Sequence, residues 1–473
     1  MGEWTGKRIL VVGLGASGLA AGRLLLAHGA VVTAADAADT PRLRDSVQPL
    51  RNAGATVQLG TDGQGLDGFD LVVVSPGVPL SQPIVARQRA LGVPVIGELE
   101  LGYRHSRCPN ISITGTNGKT TTTELVALML QGAHRRTVAA GNIGLPLCAV
   151  AEQSNDLDYL TIEVSSFQLE TIEFFRPSVA VLMNITPDHL DRHATMAEYA
   201  RAKARLFKNQ QVFDWAIVQY EALQQLQALG AAPSAKTITF SARETAADLY
   251  LDRSLLVSRL PDWSGPLLDM SRCQLIGQHN AENLMAALAV GRLLRLSLEE
   301  MRSTLEQYQP QEHRCECVAE IAGVRFYNDS KGTNVDALRN ALEAMPEGPG
   351  GRKNVWLIAG GLDKGLDFHD VGPMLAERVK GAFLLGQARE KIRSAWGLFT
   401  ACTLTDTLAD CVAGAGREAT PGDVVLLSPA CASFDMFENY KARGKAFREL
   451  VEHRGHQQRE SAEATYQQAA HKS

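Results

Sequence analysis

The residues best suited to chemistry lie in the run "NISITGTNGKTTTTE", from Asn110 to Glu124. A lysine after a glycine-rich turn can reach the β- and γ-phosphates of a nucleoside triphosphate, and a threonine hydroxyl behind it can hold magnesium. Lys119 and Thr120 meet that description. The common signature G-x-x-x-x-G-K-[ST] asks for glycine where Ile113 stands. Gly115 and Gly118 still allow close backbone approach, with Thr116, Asn117 and Thr121 completing the loop. Glu163 ends the apolar run "DYLTIE", which suits a carboxylate aimed at a metal from a strand end. His189 follows "VAVLMN" and is either a ligand or a loop histidine capping a turn. In "MAEYARAKARLFKN", Arg201, Arg205 and Lys208 recur at i, i+4 and i+7, a solvated basic face. Lys203 instead shares a stripe with Tyr199, Leu206 and Phe207. A lysine there must snorkel, find an anion or lose its charge.

A second glycine turn precedes this one. Gly13-Leu14-Gly15-Ala16-Ser17-Gly18 follows an apolar run and opens a helical one, and Asp36 ends the next apolar run. That is the arrangement of a dinucleotide site. The same helix N–H groups would serve the diphosphate of a UDP group equally well, and a tight turn that binds nothing has the same spacing. Ligand identity stays open on these residues.

These groups need parallel strands to position them. At 473 residues the chain is too long for one core. From Lys7, strand, turn, helix and strand alternate in βαβ fashion. Further strands are expected at "DLVVVSPGVP" and "LGVPVIG", closing a Rossmann-like domain over 1–97. A central P-loop-type ATPase with a parallel sheet is expected over 98–310. A Rossmann-like third domain is expected over 311–451, with strands at "VRFYND", "NVWLIAGG", "GAFLLG" and "DVVLLSPA". The fold class is α/β, with sites at strand C-termini. The polar tail 452–473 is expected to be disordered.

The net charge of -5 argues against a nucleic-acid binder working through a broad basic field. Eight scattered cysteines without a C-x-x-C pair suit a reducing cytosol. Cys315 and Cys317 would share one face if they lay on a strand. No stretch approaches the roughly 20 apolar residues of a membrane span, and the N-terminus does not read as a signal peptide. A cytoplasmic monomer, binding neither nucleic acid nor membrane, is expected.

The motifs "ITGTNGKTTTTE", "EVSSFQLE" and "NITPDHLDRH" together resemble the Mur ligases, ATP-dependent amide-forming enzymes of peptidoglycan synthesis. "GQHNAENLMAA", "HRCE", "NDSKGTN" and "SPACASFDMF" extend the likeness over almost the whole chain. The resemblance implies that ATP phosphorylates UDP-N-acetylmuramoyl-L-alanine and that D-glutamate attacks the acyl phosphate. It implies ATP contacts at Gly115, Thr116, Asn117, Gly118, Lys119, Thr120, Thr121, Asn280, Asn283, Arg314, Asp329 and Lys331. Two magnesium ions would be held by Thr120, Glu163, His189 and Lys203, the last carbamylated by CO₂. Lys119, Lys203 and His189 would be catalytic. Gly15, Ala16, Ser17, Gly18, Asp36, Gly77 and Asn142 would meet the UDP substrate, and Thr333, Lys364, Ser433 and Tyr440 the D-glutamate. An L-alanine-adding ligase, a nicotinamide oxidoreductase or a non-enzymatic ATP switch are the alternatives.

Overall fold

A computed structural model of the protein describes residues 3–190 and 192–470. Three sheets carry the chain. The first has the order β3-β2-β1-β4-β5 and is parallel throughout. Its strands are β1 Arg8–Val12, β2 Val31–Asp36, β3 Thr56–Leu59, β4 Leu71–Val74 and β5 Val95–Gly97. Helix α1 (Ala16–Ala27) leaves the first glycine turn, and α2 (Glu98–His105) leaves β5. Apolar side chains from both faces of this sheet build two cores, as buried parallel strands require.

The second sheet has the order β14-β13-β12-β11-β10-β9-β6-β8-β7. Its strands are β6 Asn110–Thr114, β7 Thr137–Gly141, β8 Tyr159–Glu163, β9 Val179–Leu182, β10 Trp215–Gln219, β11 Lys236–Ser241, β12 Leu249–Asp252, β13 Leu255–Ser258 and β14 Gly265–Asp269. Strands β7 to β12 run parallel, and β13 turns back against β12 and β14. The helices that matter here are α3 (Lys119–Gly132), α4 (Leu147–Val150), α5 (Ser166–Leu169), α6 (Met196–Ala204) and α7 (Gln278–Leu293). Strand β6 lies between β8 and β9, with Ile113 paired to Glu163 and Thr114 to Leu182. That register brings the loop after β6, the end of β8 and the loop after β9 to one level. Ile113 belongs to the buried strand, so the departure from the common signature is a strand residue rather than a missing part of the loop.

The third sheet has the order β15-β16-β20-β17-β18-β19. Its strands are β15 Glu316–Ile321, β16 Val324–Asn328, β17 Val355–Gly360, β18 Val379–Leu385, β19 Ala401–Leu404 and β20 Val424–Leu427. Only the β15–β16 pair is antiparallel. Helices α8 (Val335–Ala344), α9 (Arg389–Trp396) and α10 (Tyr440–Ala470) accompany it. Trp396 is 0% exposed, its indole N–H donates to the Phe368 carbonyl at 2.8 Å, and its ring meets Phe368 edge-on. Trp396→Ala is expected to cost about 3–5 kcal/mol of this domain's stability, read as a lower urea midpoint with the loss confined to one transition.

The first two sheets form one compact unit, and the third forms another with Thr186–Met196 and Gln274–Asn280. Three sequence expectations need correction. The segment from Glu452 does not lack structure but continues α10 to Ala470. It is rich in Glu, Gln, Ala and Arg, all good helix formers, and has no proline; residues 471–473 lie outside the described ones. Cys315 precedes β15 with φ of 46°, so it does not share a strand face with Cys317. Arg205 leaves the solvated face expected of it: its guanidinium donates to the carbonyls of Leu169 and Ile172 at 2.6 and 3.0 Å. All eight cysteines are unpaired. Among the described residues no helix is long and apolar enough to cross a membrane.

Candidate active site

The loop Gly115–Gly118 is built from the residues the sequence singles out and from two to which it gives no part in the loop. A side chain at Gly115 would fall 2.7 Å from Met183 Cβ, and one at Gly118 2.4 Å from Asn283 Oδ1. Gly118 adopts φ of 84°, a left-handed conformation that glycine enters without strain, and it starts α3. Asn184, just after β9, fastens the loop: its Oδ1 accepts from Thr116 N at 3.1 Å and Asn117 N at 2.8 Å. Those two N–H groups are thus engaged inside the protein. An anion at this turn would be met by the first-turn amides of α3, which have no partner within the helix. Tyr199, which the sequence marks only as part of the Lys203 stripe, also reaches the loop, its hydroxyl 3.4 Å from Thr116 Oγ1. Asn283 reaches the same loop, its Oδ1 accepting from Thr122 at 3.3 Å.

Two ammonium groups converge on one oxygen. Lys119 Nζ donates to the carbonyls of Gly115 at 3.0 Å and Thr116 at 2.7 Å, and Lys203 Nζ donates to the Gly115 carbonyl at 2.7 Å. Lys203 is 1% exposed and its Nζ sits 4.5 Å from the Tyr199 ring centroid. The apolar stripe read from the sequence therefore does bury this lysine. Two cationic groups around one carbonyl make this a place suited to an anion.

Glu163 is buried at the end of β8. Its Oε1 accepts from Asn142 Nδ2 at 2.8 Å, and its Oε2 makes no hydrogen bond. A buried carboxylate oxygen left over, with the Thr120 hydroxyl opening the neighbouring α3, is an oxygen donor set that suits a hard cation such as magnesium.

The first glycine turn lines a pocket of about 460 Å³ with Asp36, Ser75 to Val78, Gly141, Asn142, Gly144, Pro146 and Gln168. Gly15, Ala16, Ser17, Asp36, Gly77 and Asn142 all lie on its wall. Gly18 does not. A side chain at Gly18 would fall 1.9 Å from the Gly13 carbonyl oxygen, so this glycine serves the packing of α1 against the turn. Asp36 fastens the turn from inside, accepting from Leu14 N at 2.7 Å and Ala38 N at 2.9 Å.

In the second unit, Asp188 gathers Lys364, Asn334 and His189. Lys364 Nζ lies 3.2 Å from Asp188 Oδ1 and 3.4 Å from Thr333 Oγ1, and Asn334 Nδ2 donates to Oδ2 at 3.0 Å. His189, with φ of 55°, donates its backbone N–H to Asp188 at 2.9 Å. Burial alone would raise the Asp188 carboxyl, but the Lys364 ammonium, His189 and Asn334 together hold it below the usual range. The Leu362–Ala432 bridge brings the loop before Lys364 alongside the loop of Ser433. Asp329 accepts from Ser428 Oγ at 2.8 Å and Cys315 N at 3.3 Å, and burial pushes its carboxyl up to about 7. Lys331 Nζ stands 5.3 Å from the Tyr440 ring centroid, and Arg314 keeps a buried Nε without a partner. Asn280 spends its Nδ2 on the Ile276 carbonyl at 2.8 Å. Arg443, absent from the sequence reading, is buried and clamps two of these loops, donating to Ser330 O at 2.7 Å and Cys431 O at 3.2 Å.

Three family models match the chain: the Mur ligase MurD-like N-terminal domain over 7–97, the Mur ligase middle domain over 113–291, and the Mur ligase glutamate ligase domain over 313–431. The chain belongs to the Mur ligase family. A UDP-N-acetylmuramoylalanine--D-glutamate ligase of Acidobacterium capsulatum is 44% identical over 96% of this chain and 98% of its own length. One of the same name from Koribacter versatilis is 42% identical over 94% and 97%. Among solved structures, the UDP-N-acetylmuramate-alanine ligase of Thermotoga maritima shares the fold with a TM-score of 0.57 at 18% identity, covering 94% of this chain and 99% of its own. A MurF ligase from the same organism, solved in complex with ADP, aligns at 0.58 and 16%, covering 90% and 96%. In this Mur ligase the loop of Lys119 lies in the middle domain, and the pocket of Asp36 is lined by residues of the first and the middle domain.

Proposed function

We propose that the protein joins D-glutamate to UDP-N-acetylmuramoyl-L-alanine with cleavage of ATP to ADP and phosphate. The observation that carries this reading is the full-length likeness to ligases of that name, 44% identical over 96% of the chain. The substrate carboxylate attacks the γ-phosphorus and ADP leaves, giving an acyl phosphate. The D-glutamate amine then attacks the acyl carbon, and phosphate departs with the C–O bonding electrons as the amine loses its proton. Most of the catalysis is positioning and charge neutralisation.

In this reading the α3 N-terminus and Lys119 hold the transferring phosphoryl group. Thr120 and Glu163 would hold one magnesium ion, which when bound would supply charge neutralisation at the phosphates. His189 would serve a second ion, and Lys203 as a carbamate would offer a further oxygen ligand. The buried unpartnered oxygen of Glu163 and the burial of Lys203 support these assignments. The pocket around Asp36 takes the UDP group. Thr333, Lys364 and Ser433 receive the dicarboxylate, which needs charge-assisted donors, and Lys364 would exchange Asp188 for it. Tyr440 stands near the dicarboxylate, and Asn280, Asn283, Arg314, Asp329 and Lys331 attend the nucleotide. Such a ligase works in the cytoplasm, as a monomer.

Phosphate release is to be measured with UDP-N-acetylmuramoyl-L-alanine, ATP and a panel of D- and L-amino acids. Release that depends on D-glutamate is the expected result. Release stimulated by L-alanine on the UDP-N-acetylmuramate acceptor would favour the first-step ligase instead, and no stimulation would leave an ATP switch. Titration with NADH should give no binding, since Asp36 is already engaged by its own turn; tight NADH binding would revive an oxidoreductase.

A further inference from the structure

One wall of the pocket around Asp36 is the loop Gly141–Pro146, and it is held at both ends. At its start, Gly141 N donates to the Leu145 carbonyl at 2.9 Å and Asn142 N to the Glu163 carbonyl at 2.8 Å. At its end the chain passes from Pro146, which lines the pocket, into α4. There the fastening comes from another element. Glu98, the first residue of α2, accepts through Oε1 from Cys148 N at 2.7 Å, and the Cys148 thiol lies 3.3 Å from the Glu98 carbonyl oxygen. Gly102 makes that seat close. A side chain on it would fall 2.8 Å from Cys148 N and 2.8 Å from Leu147 Cγ.

The cost of this arrangement is visible. Glu98 is 1% exposed, its Oε2 makes no hydrogen bond, and burial pushes its carboxyl up to about 7 against the opposing bond from Cys148. An apolar residue would fill the same volume without desolvating a carboxyl group. Stability alone therefore does not explain an acid here, whereas fixing one backbone amide at the edge of a binding loop does.

We propose that Glu98 is a positioning residue for the UDP-bearing substrate: by holding Cys148 it sets the end of the loop Gly141–Pro146, and with it the placement of Asn142, Gly144 and Pro146 on the pocket wall. The inference rests on the reading of this pocket as the UDP-substrate site.

The test uses the full chain with UDP-N-acetylmuramoyl-L-alanine as titrant in calorimetry and as varied substrate in phosphate release. Glu98→Leu keeps the volume and removes the acceptor. Its Kd and KM for the UDP substrate should rise about tenfold, with KM for ATP and kcat at saturation within about twofold of wild type. Glu98→Gln retains an acceptor oxygen for Cys148 and should return both values to within about twofold of wild type. Gly102→Ala, which crowds Cys148 without touching the carboxyl, should raise the same KM alone. Unchanged UDP-substrate values in Glu98→Leu would overturn the inference, as would a parallel rise for all three substrates or a silent Gly102→Ala. Should Glu98→Leu fail to fold, the Gly102→Ala and Glu98→Gln values decide the matter by the same criteria. Failure of the wild-type protein to bind the UDP substrate sinks the pocket reading and the inference with it. Equal binding by wild type and Glu98→Leu sinks the inference alone.

Discussion

Lys119→Ala lowers ATP-dependent phosphate release at saturating D-glutamate and UDP substrate by about 10³-fold or more. The lysine is the first residue of α3, where the helix N-terminus already favours anions. Its ammonium lies 3.0 and 2.7 Å from the carbonyls of Gly115 and Thr116, so it is folded over the loop a triphosphate would occupy. The developing charge on a phosphoryl group in flight is what this cation stabilises, and a helix terminus alone supplies only partial charge. Lys203 reaches the same Gly115 oxygen, yet it should not substitute, because in the proposed carbamate form it would carry no ammonium. The check is turnover alongside thermal unfolding, since the substitution should leave the melting temperature near wild type. A variant turning over within tenfold of wild type would remove Lys119 from the phosphate role.

The parts of the fold that could be read in advance are those whose burial writes a run of apolar residues. "NISIT", "YLTIE" and "VAVL" become β6, β8 and β9, buried on both faces by the helices that parallel connections impose. The stretch Leu249–Asp269 went unread. It forms the short antiparallel strands β12 to β14, where exposed and buried residues mix and no long apolar run appears. The tail from Glu452 departs from expectation for a different reason. Low hydrophobicity marks a segment that need not pack, but its residues favour the helix locally, and α10 continues through them.

At the site, sequence showed what is local and hid what is assembled. Lys203 was legible because helical spacing alone puts it beside Tyr199, Leu206 and Phe207, and it is indeed buried. Asn184 lay inside a motif already noticed, but its task depends on reaching Thr116 and Asn117 from a strand away. Arg443 binds Ser330 and Cys431, residues far from it along the chain, and nothing in the local pattern "YKARGKAF" marks it as a clamp. Gly18 shows a second demand on a motif position: a side chain there would meet the Gly13 carbonyl oxygen, so close packing of α1 on the turn requires glycine.

Lys203→Ala should lower turnover by about 10²–10³-fold, and formate or acetate should restore part of it. The amine is 1% exposed, lies 4.5 Å from the Tyr199 ring centroid, and shares the Gly115 carbonyl with Lys119. A buried amine beside an aromatic ring pays for its charge in desolvation. Reaction of the neutral amine with CO₂ forms a C–N bond, releases one proton and turns the cation into a carboxylate, the kind of ligand magnesium prefers. Truncation to alanine removes both the stem and the carboxylate and leaves a space that a small acid fits, which is why the rescue should depend on acid size. Two measurements separate this from simple loss of packing. A protein equilibrated with ¹³C-bicarbonate should show a carbamate carbon resonance that is missing from Lys203→Ala, and Lys203→Met, which keeps the apolar volume, should be as inactive as the alanine variant. Wild-type-like rates in Lys203→Ala without additives would refute the carbamate. A Lys203→Met variant that turns over normally would reduce the residue to a packing role.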